Sequence, residues 1–228
     1  MKHPNGSLLH VLVGRSAPLG ERQMPSAIDK RPVAGGLQAY RNGFAEDDQA
    51  DRRVHGGPDK ALHHYPVEHY AIWRQEEGEH PLLRPGGFGE NLSSLGIMEE
   101  DVALGDVFRL GGALMEVSQS RQPCWKLNAR FGLGKMALRV QETGRTGWYY
   151  RVLEEGIIRA GDQFQLLERR SPAWTLRRVW NVLYVDSLNR DELSEMAALP
   201  HLPEGWRRAV LRRLEVGAVE DWSSRLNG

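Results

Sequence analysis

The chain has 228 residues, of which 40% are hydrophobic and 26% charged, a balance that supports a buried core. Thirty basic residues offset thirty acidic ones, so no bulk field favours nucleic acid or an anionic membrane surface. One cysteine excludes a disulfide scaffold, and no apolar run approaches the roughly 20 residues needed to span a bilayer. The amino-terminal residues lack a secretory apolar stretch, and with the lone cysteine this leads us to expect a cytoplasmic protein.

In chain order, Ser7 to Gly14 reads as a strand closed by a glycine turn. Pro66 suits the first position of a helix that continues through Val67, Tyr70, Ala71 and Arg74 and stops at Gly78. Two segments echo each other, Leu104 to Leu110 and Ala160 to Leu166; each opens on a Gly-Asp turn and runs on as alternating strand. Gly111-Gly112 then connects tightly to a strand leading towards Cys124, which Pro123 helps to end. Lys135 to Thr143 reads as a second helix stopped at Gly144, and Gly147 to Leu153 as another strand. Many short strands with glycine turns imply a closed or nearly closed barrel. We therefore expect a mainly β fold with peripheral helices over residues 1–170.

At Ser171 the periodicity changes. Trp174, Arg177, Val179, Trp180, Leu183 and Tyr184 recur at helical spacing. Asn189 is an N-cap with Glu192 as its capping-box partner, for a helix through Leu199, and Pro203 opens a third helix carrying Trp206, Val210, Leu211 and Leu214. Residues 171–228 thus form a three-helix bundle, too small to be stable alone, that docks on the barrel. Its tryptophans read as core rather than as a ligand cage.

Two clusters could carry chemistry. Cys124 lies between Arg121 and Lys126 at a strand-to-loop junction, and nearby cations favour the thiolate that attacks electrophiles or ligates soft metals. Free cysteine is also a common buried residue, so local chemistry alone leaves a reactive and an inert sulfur open. The second cluster is His55-Gly56-Gly57-Pro58, a turn whose glycines let backbone amides approach an anion, flanked by Arg52, Arg53 and Lys60. A phosphorylated ligand or a solvated charged loop are its two readings. His55, His63, His64 and His69 lack zinc-site spacing, and one of them acting as a proton donor is a better reading than a histidine-only metal site. There is no Walker loop, no nucleophile elbow and no dinucleotide fingerprint; Gly86-Gly87-Phe88-Gly89-Glu90-Asn91 is a loop from which Glu90 and Asn91 could bond a heterocycle edge.

Val54 to Pro66, Phe88 to Leu92, and Gln119 to Asn128 together resemble the MOSC family, named after the carboxy-terminal domain of molybdenum cofactor sulfurase. Within it the chain is similar to bacterial 6-hydroxylaminopurine reductases with a three-helix domain after the barrel. The resemblance implies a barrel that binds molybdenum cofactor, with Cys124 as the metal ligand. A thiolate suits that thiophilic metal. Because the pterin chelates through its own dithiolene, a single protein sulfur suffices. Lys30, Arg52, His55, Gly56, Gly57 and Lys60 become candidates for the phosphate, and Asn91, Ser118, Gln119, Arg121 and Asn128 for the pterin ring. The chain departs from the family pattern at Glu46-Asp47, where Gly-Asp is frequent.

The implied activity is reduction of an N-hydroxylated base or hydroxylamine to the amine with release of water, the metal cycling between Mo(VI) and Mo(IV). His64 or His55 is the expected proton donor, beside Cys124 as the catalytic sulfur. Because nothing in the chain binds flavin or nicotinamide, electrons should arrive from a separate flavoprotein. The expected partners are otherwise a small N-hydroxylated base, with no nucleic acid, no membrane and a possible homodimer. The rival readings are a non-catalytic cofactor carrier or sulfur-transfer protein, and a cofactor-free interaction protein in which Cys124 is inert.

Overall fold

A computed structural model describes residues 4–50 and 56–228. Seven strands close on themselves: β1 (Asn5–Val13), β7 (Leu62–Pro66), β8 (Leu92–Leu95), β9 (Val107–Leu110), β10 (Ala113–Ser120), β11 (Trp148–Glu154) and β13 (Gln163–Glu168), in the order β13-β9-β10-β11-β7-β8-β1, with β1 returning to β13. Closure removes the exposed edges of the sheet. Pairing is antiparallel except between β7 and β8. A parallel pair needs a crossover, and helix α1 (Glu68–Glu77) lies within it.

Pro66 ends strand β7 instead of opening that helix, which begins at Glu68 and stops at Gly78 as expected. Both Gly-Asp echoes turn into strands. Small strands that the sequence pattern does not show are β2 (Ala17–Leu19) and β3 (Met24–Ser26), which pair with each other, β4 (Arg31–Pro32), which pairs with β1, and β5 (Gly36–Tyr40), β6 (Gly43–Phe44) and β12 (Gly156–Arg159), which form a separate three-stranded sheet. Each is short or glycine-bearing and shows no clean alternation.

Period-two alternation sorts side chains to the two faces of the barrel wall. Leu62, Phe108, Met115, Val117, Trp148, Tyr150 and Phe164 fill the interior. A second apolar cluster outside the wall joins Tyr65, Tyr70, Trp73 and Phe88 to helices α2 (Lys126–Phe131) and α3 (Met136–Thr143). Gly86 is required where it stands, because its φ is +90° and a Cβ there would meet the Lys30 carbonyl oxygen at 2.2 Å.

Helices α4 (Leu176–Tyr184), α5 (Arg190–Ala197) and α6 (Glu204–Val216) form the three-helix region. Asn189 caps α5 by accepting from the Glu192 amide at 3.2 Å, but the Glu192 carboxylate pairs with Arg178 instead of completing the capping box. Trp174, Val179, Leu183, Met196 and Trp206 belong to the same apolar cluster as the barrel interior, so the helices share the barrel's core. A last helix, α7 (Ser223–Asn227), was not foreseen; its Leu226 returns to the second cluster beside α2.

Candidate active site

An open cleft of about 630 Å³ lies where β7, β10 and β11 meet the segments around residues 26–30 and 47–50. Cys124 lines it, half-buried in the turn between the end of β10 and α2. Arg121, Lys60, Lys30 and Asn91 line it too, so five of the residues singled out from sequence converge. The others do not. Gly56 and Gln119 line a second cleft of about 830 Å³ against the three-helix region, with Gln122, Trp206 and Arg213, and Lys60 lines both clefts. Gly57 sits at φ +90° with open space where a Cβ would be, which makes its backbone approachable. Arg52 and His55 lie outside the described residues.

Several expected roles change. Lys30 is paired with the Asp47 carboxylate, both side chains being almost fully buried. Burial pulls the Lys30 pKa down from 10.5 and the Asp47 charge raises it again. Asp47 also accepts from the Gly14 amide at 2.7 Å and from Asn91 Nδ2 at 2.8 Å. The Asn91 carboxamide is therefore engaged by protein: Nδ2 also donates to the Leu12 carbonyl, and Oδ1 accepts from the His63 amide. Asn91 holds the wall of the cleft together and has no spare donor for a heterocycle. The Ser118 hydroxyl donates to the Asp59 carbonyl at 2.6 Å, and Asn128 bonds the Leu226 carbonyl and the Ala137 amide, both 2.8 Å away. Neither side chain faces the cleft.

The expectation for His64 is corrected. Its ring lies inside the barrel, stacked on Phe164, with Nδ1 3.0 Å from the Tyr150 hydroxyl and Nε2 bonded to Ser94 Oγ at 2.5 Å. Burial holds its pKa well below the usual histidine range, so it is a neutral core residue and cannot deliver protons to the cleft. Its neighbour His63, one residue away and therefore on the opposite face of β7, lines the cleft instead. Burial first, and the charge of Arg121 second, push His63 down to about 3, so it too is neutral at physiological pH. Reading Leu62–Pro66 as a strand would have distinguished the two histidines; the missing signal was that alternation. Asp47, Phe88, Gly89, Lys126 and Tyr149 also line the cleft.

Two polar atoms in this wall point to a ligand. Arg121 is 7% exposed, and among the described residues its Nη1 has no hydrogen-bond partner. His63 Nε2 is buried and unpartnered as well. A buried donor without a partner costs about 1–3 kcal/mol, more when it is charged, so two of them in one concave wall call for an external partner. Among the described residues no group of three His, Cys, Asp or Glu side chains is placed to hold a metal ion.

Comparison with known proteins identifies the family. The MOSC domain model matches residues 51–165, and a model described as the YiiM-like, 3-alpha helix domain matches residues 174–217. The chain belongs to the MOSC family. It is 40% identical over 93% of its length to an uncharacterized protein, YflK, of Bacillus subtilis, covering 96% of that protein. It is likewise 40% identical to Protein YiiM of Escherichia coli, covering 90% of this chain and 91% of the relative. The crystal structure of that YiiM superposes with a TM-score of 0.78 at 34% identity, over 94% of this chain and 100% of the other. A protein called Reductase from Gibberella moniliformis is 39% identical over 86% of this chain, which spans 35% of that longer protein.

MOSC domains in general are associated with molybdenum cofactor, and the family and its reductase-named relative support a cofactor-related reductase or sulfurase role. The cleft fits such a group. It has one soft sulfur donor, a buried guanidinium with one unpartnered nitrogen, Arg121 Nη1, for an anionic or carbonyl oxygen, and an unpartnered imidazole nitrogen for a nitrogen-rich ring.

Proposed function

We propose that the chain is a molybdenum-cofactor-dependent reductase of N-hydroxylated bases such as 6-hydroxylaminopurine, an activity that would detoxify base analogues. The observation that carries this reading is the Cys124 sulfur in the same cleft wall as the unpartnered Arg121 Nη1. When bound, the cofactor supplies the two-electron redox chemistry, and the balanced reaction is R–NHOH + 2e⁻ + 2H⁺ → R–NH₂ + H₂O. Cys124 would provide the protein's ligand to the metal. Arg121 Nη1 would bind an oxygen of the pterin or its phosphate, and Lys60, which lines both clefts, and the open backbone of Gly57 would offer positive charge and an amide to the phosphate. His63, held neutral, offers Nε2 to the heterocycle edge without adding charge beside the guanidinium. The Lys30–Asp47–Asn91 network keeps this wall rigid rather than contacting the ligand. Electrons come from a separate flavoprotein, since the chain carries no dinucleotide fingerprint.

The test is reduction of 6-hydroxylaminopurine by protein from a cofactor-competent host with a chemical electron donor, beside Cys124→Ala. Molybdenum and pterin are quantified in both samples. Turnover by the parent and its loss in Cys124→Ala is the expected result. Bound cofactor without turnover would instead indicate a carrier or sulfur-transfer protein. No cofactor in either sample, under loading that succeeds for another molybdoenzyme, would overturn the reading.

A further inference from the structure

The residues on either side of Cys124 are held by one residue from the far end of the chain. Strand β10 ends at Ser120 and α2 begins at Lys126, so Cys124 sits in a connection without a ladder of its own. Pro123 has no amide hydrogen, which leaves its carbonyl as its backbone contact. That carbonyl accepts from Arg225 Nη1 at 2.5 Å. The Trp125 amide donates to the Arg225 carbonyl at 2.8 Å. The other arm of the Arg225 guanidinium donates to Gln141 Oε1 at 2.5 Å, and Gln141 is almost fully buried on α3. The adjoining Asn128 donates to the Leu226 carbonyl, one residue beyond Arg225. The three-helix region meets the same loop beside Arg225: Gln122 Nε2 lies 3.3 Å from the Tyr184 hydroxyl, and the Arg225 guanidinium lies 5.9 Å from the centre of the Tyr184 ring.

Residue 225 lies beyond both matched family segments, which end at residues 165 and 217. We infer that Arg225 is a positioning residue: through Pro123 and Trp125 the carboxy-terminal helix brackets Cys124 and fixes where its sulfur points into the cleft. The consequence for metal ligation rests on the reductase or carrier reading, but the bracket itself does not. A guanidinium suits this task because its rigid fork reaches two acceptors at once, whereas the single ammonium of lysine cannot hold both in the same geometry.

The experiment uses the full chain without cofactor, as Arg225→Ala, Arg225→Lys and Leu226→Ala, each checked for folding by circular dichroism. Leu226→Ala removes apolar packing of the same helix while keeping the guanidinium, so it reports what loosening by itself does. Two quantities are measured: the iodoacetamide alkylation rate of Cys124 and the hydrogen-exchange rate of the Trp125 amide. In Arg225→Ala both should rise by at least about tenfold, the factor set by losing even one of the two guanidinium hydrogen bonds at ordinary to charge-assisted strength. Arg225→Lys should fall between Arg225→Ala and the parent, and Leu226→Ala should stay within about threefold of the parent, because the guanidinium bonds survive. Rates in Arg225→Ala within twofold of the parent would overturn the inference. So would a Leu226→Ala variant matching Arg225→Ala in both readouts, which would reduce the residue to packing. Neither measurement needs cofactor or turnover, so a failed reductase assay leaves this result standing.

Discussion

Glu90 offers the sharpest physical test of the wall behind the cleft. The residue is completely buried, and its Oε1 accepts from the Tyr70 hydroxyl at 2.5 Å and the Gly86 amide at 2.7 Å, while Oε2 has no partner among the described residues. Burial pushes its pKa up from 4.5 to about 7 against those hydrogen bonds. Below pH 4.5 the carboxyl is protonated in both folded and unfolded chains, so it adds no pH dependence. Between 4.5 and about 7 the unfolded chain has released the proton that the folded one still holds, and stability falls as pH rises; above 7 the loss is complete. Two and a half pKa units correspond to about 3 kcal/mol at that plateau.

Glu90→Gln keeps an oxygen that can accept both existing bonds and removes the titration. Its new amide group takes the place of the unpartnered Oε2 and costs about 1–2 kcal/mol at every pH. The variant should therefore be less stable than the parent at pH 5 and equal or more stable at pH 8, the difference moving by about 2.5 kcal/mol between them. Urea unfolding at the two pH values, followed by tryptophan fluorescence and circular dichroism together, measures this. A stability difference that does not change with pH would refute the buried-carboxyl argument.

Two further predictions concern the same wall. Asp47→Ala strands the Lys30 ammonium and should cost about 3–5 kcal/mol, or roughly 10 °C in a chain this size. Lys30→Met should cost less, because Asp47 keeps the Gly14 and Asn91 donors. The Asp47→Ala loss should also shrink as pH rises towards 10.5, since the unpaired Lys30 sheds its proton in the folded state before the unfolded one does. Thermal melts at pH 7 and 9.5 check both statements, and equal losses from the two variants would contradict them. Arg121→Met should stabilise the cofactor-free protein by about 1 kcal/mol by removing an unpartnered buried donor. The same change should reduce molybdenum and pterin retention at least tenfold. A variant that melts lower and retains cofactor would show Arg121 to be purely structural.

The sequence alone was enough for the barrel, the helical region after Ser171, and the family. Gly-Asp turns, helix-period tryptophans and three separated motifs are local patterns that survive in one dimension. The same local logic located Cys124 and Arg121 as candidates, because charge beside a lone thiol is visible in the chain, and Lys60, because it flanks the His-Gly-Gly turn. It could not distinguish His63 from His64, which differ only in which face of β7 they occupy. Nor could it foresee that Lys30 and Asn91 are already committed to Asp47, since those contacts join residues 17 and 44 positions apart. The Arg225 bracket spans about a hundred residues. Hydrogen-bond capacity is a property of each residue, but which partner uses it is decided only when closing the barrel brings distant segments into one wall.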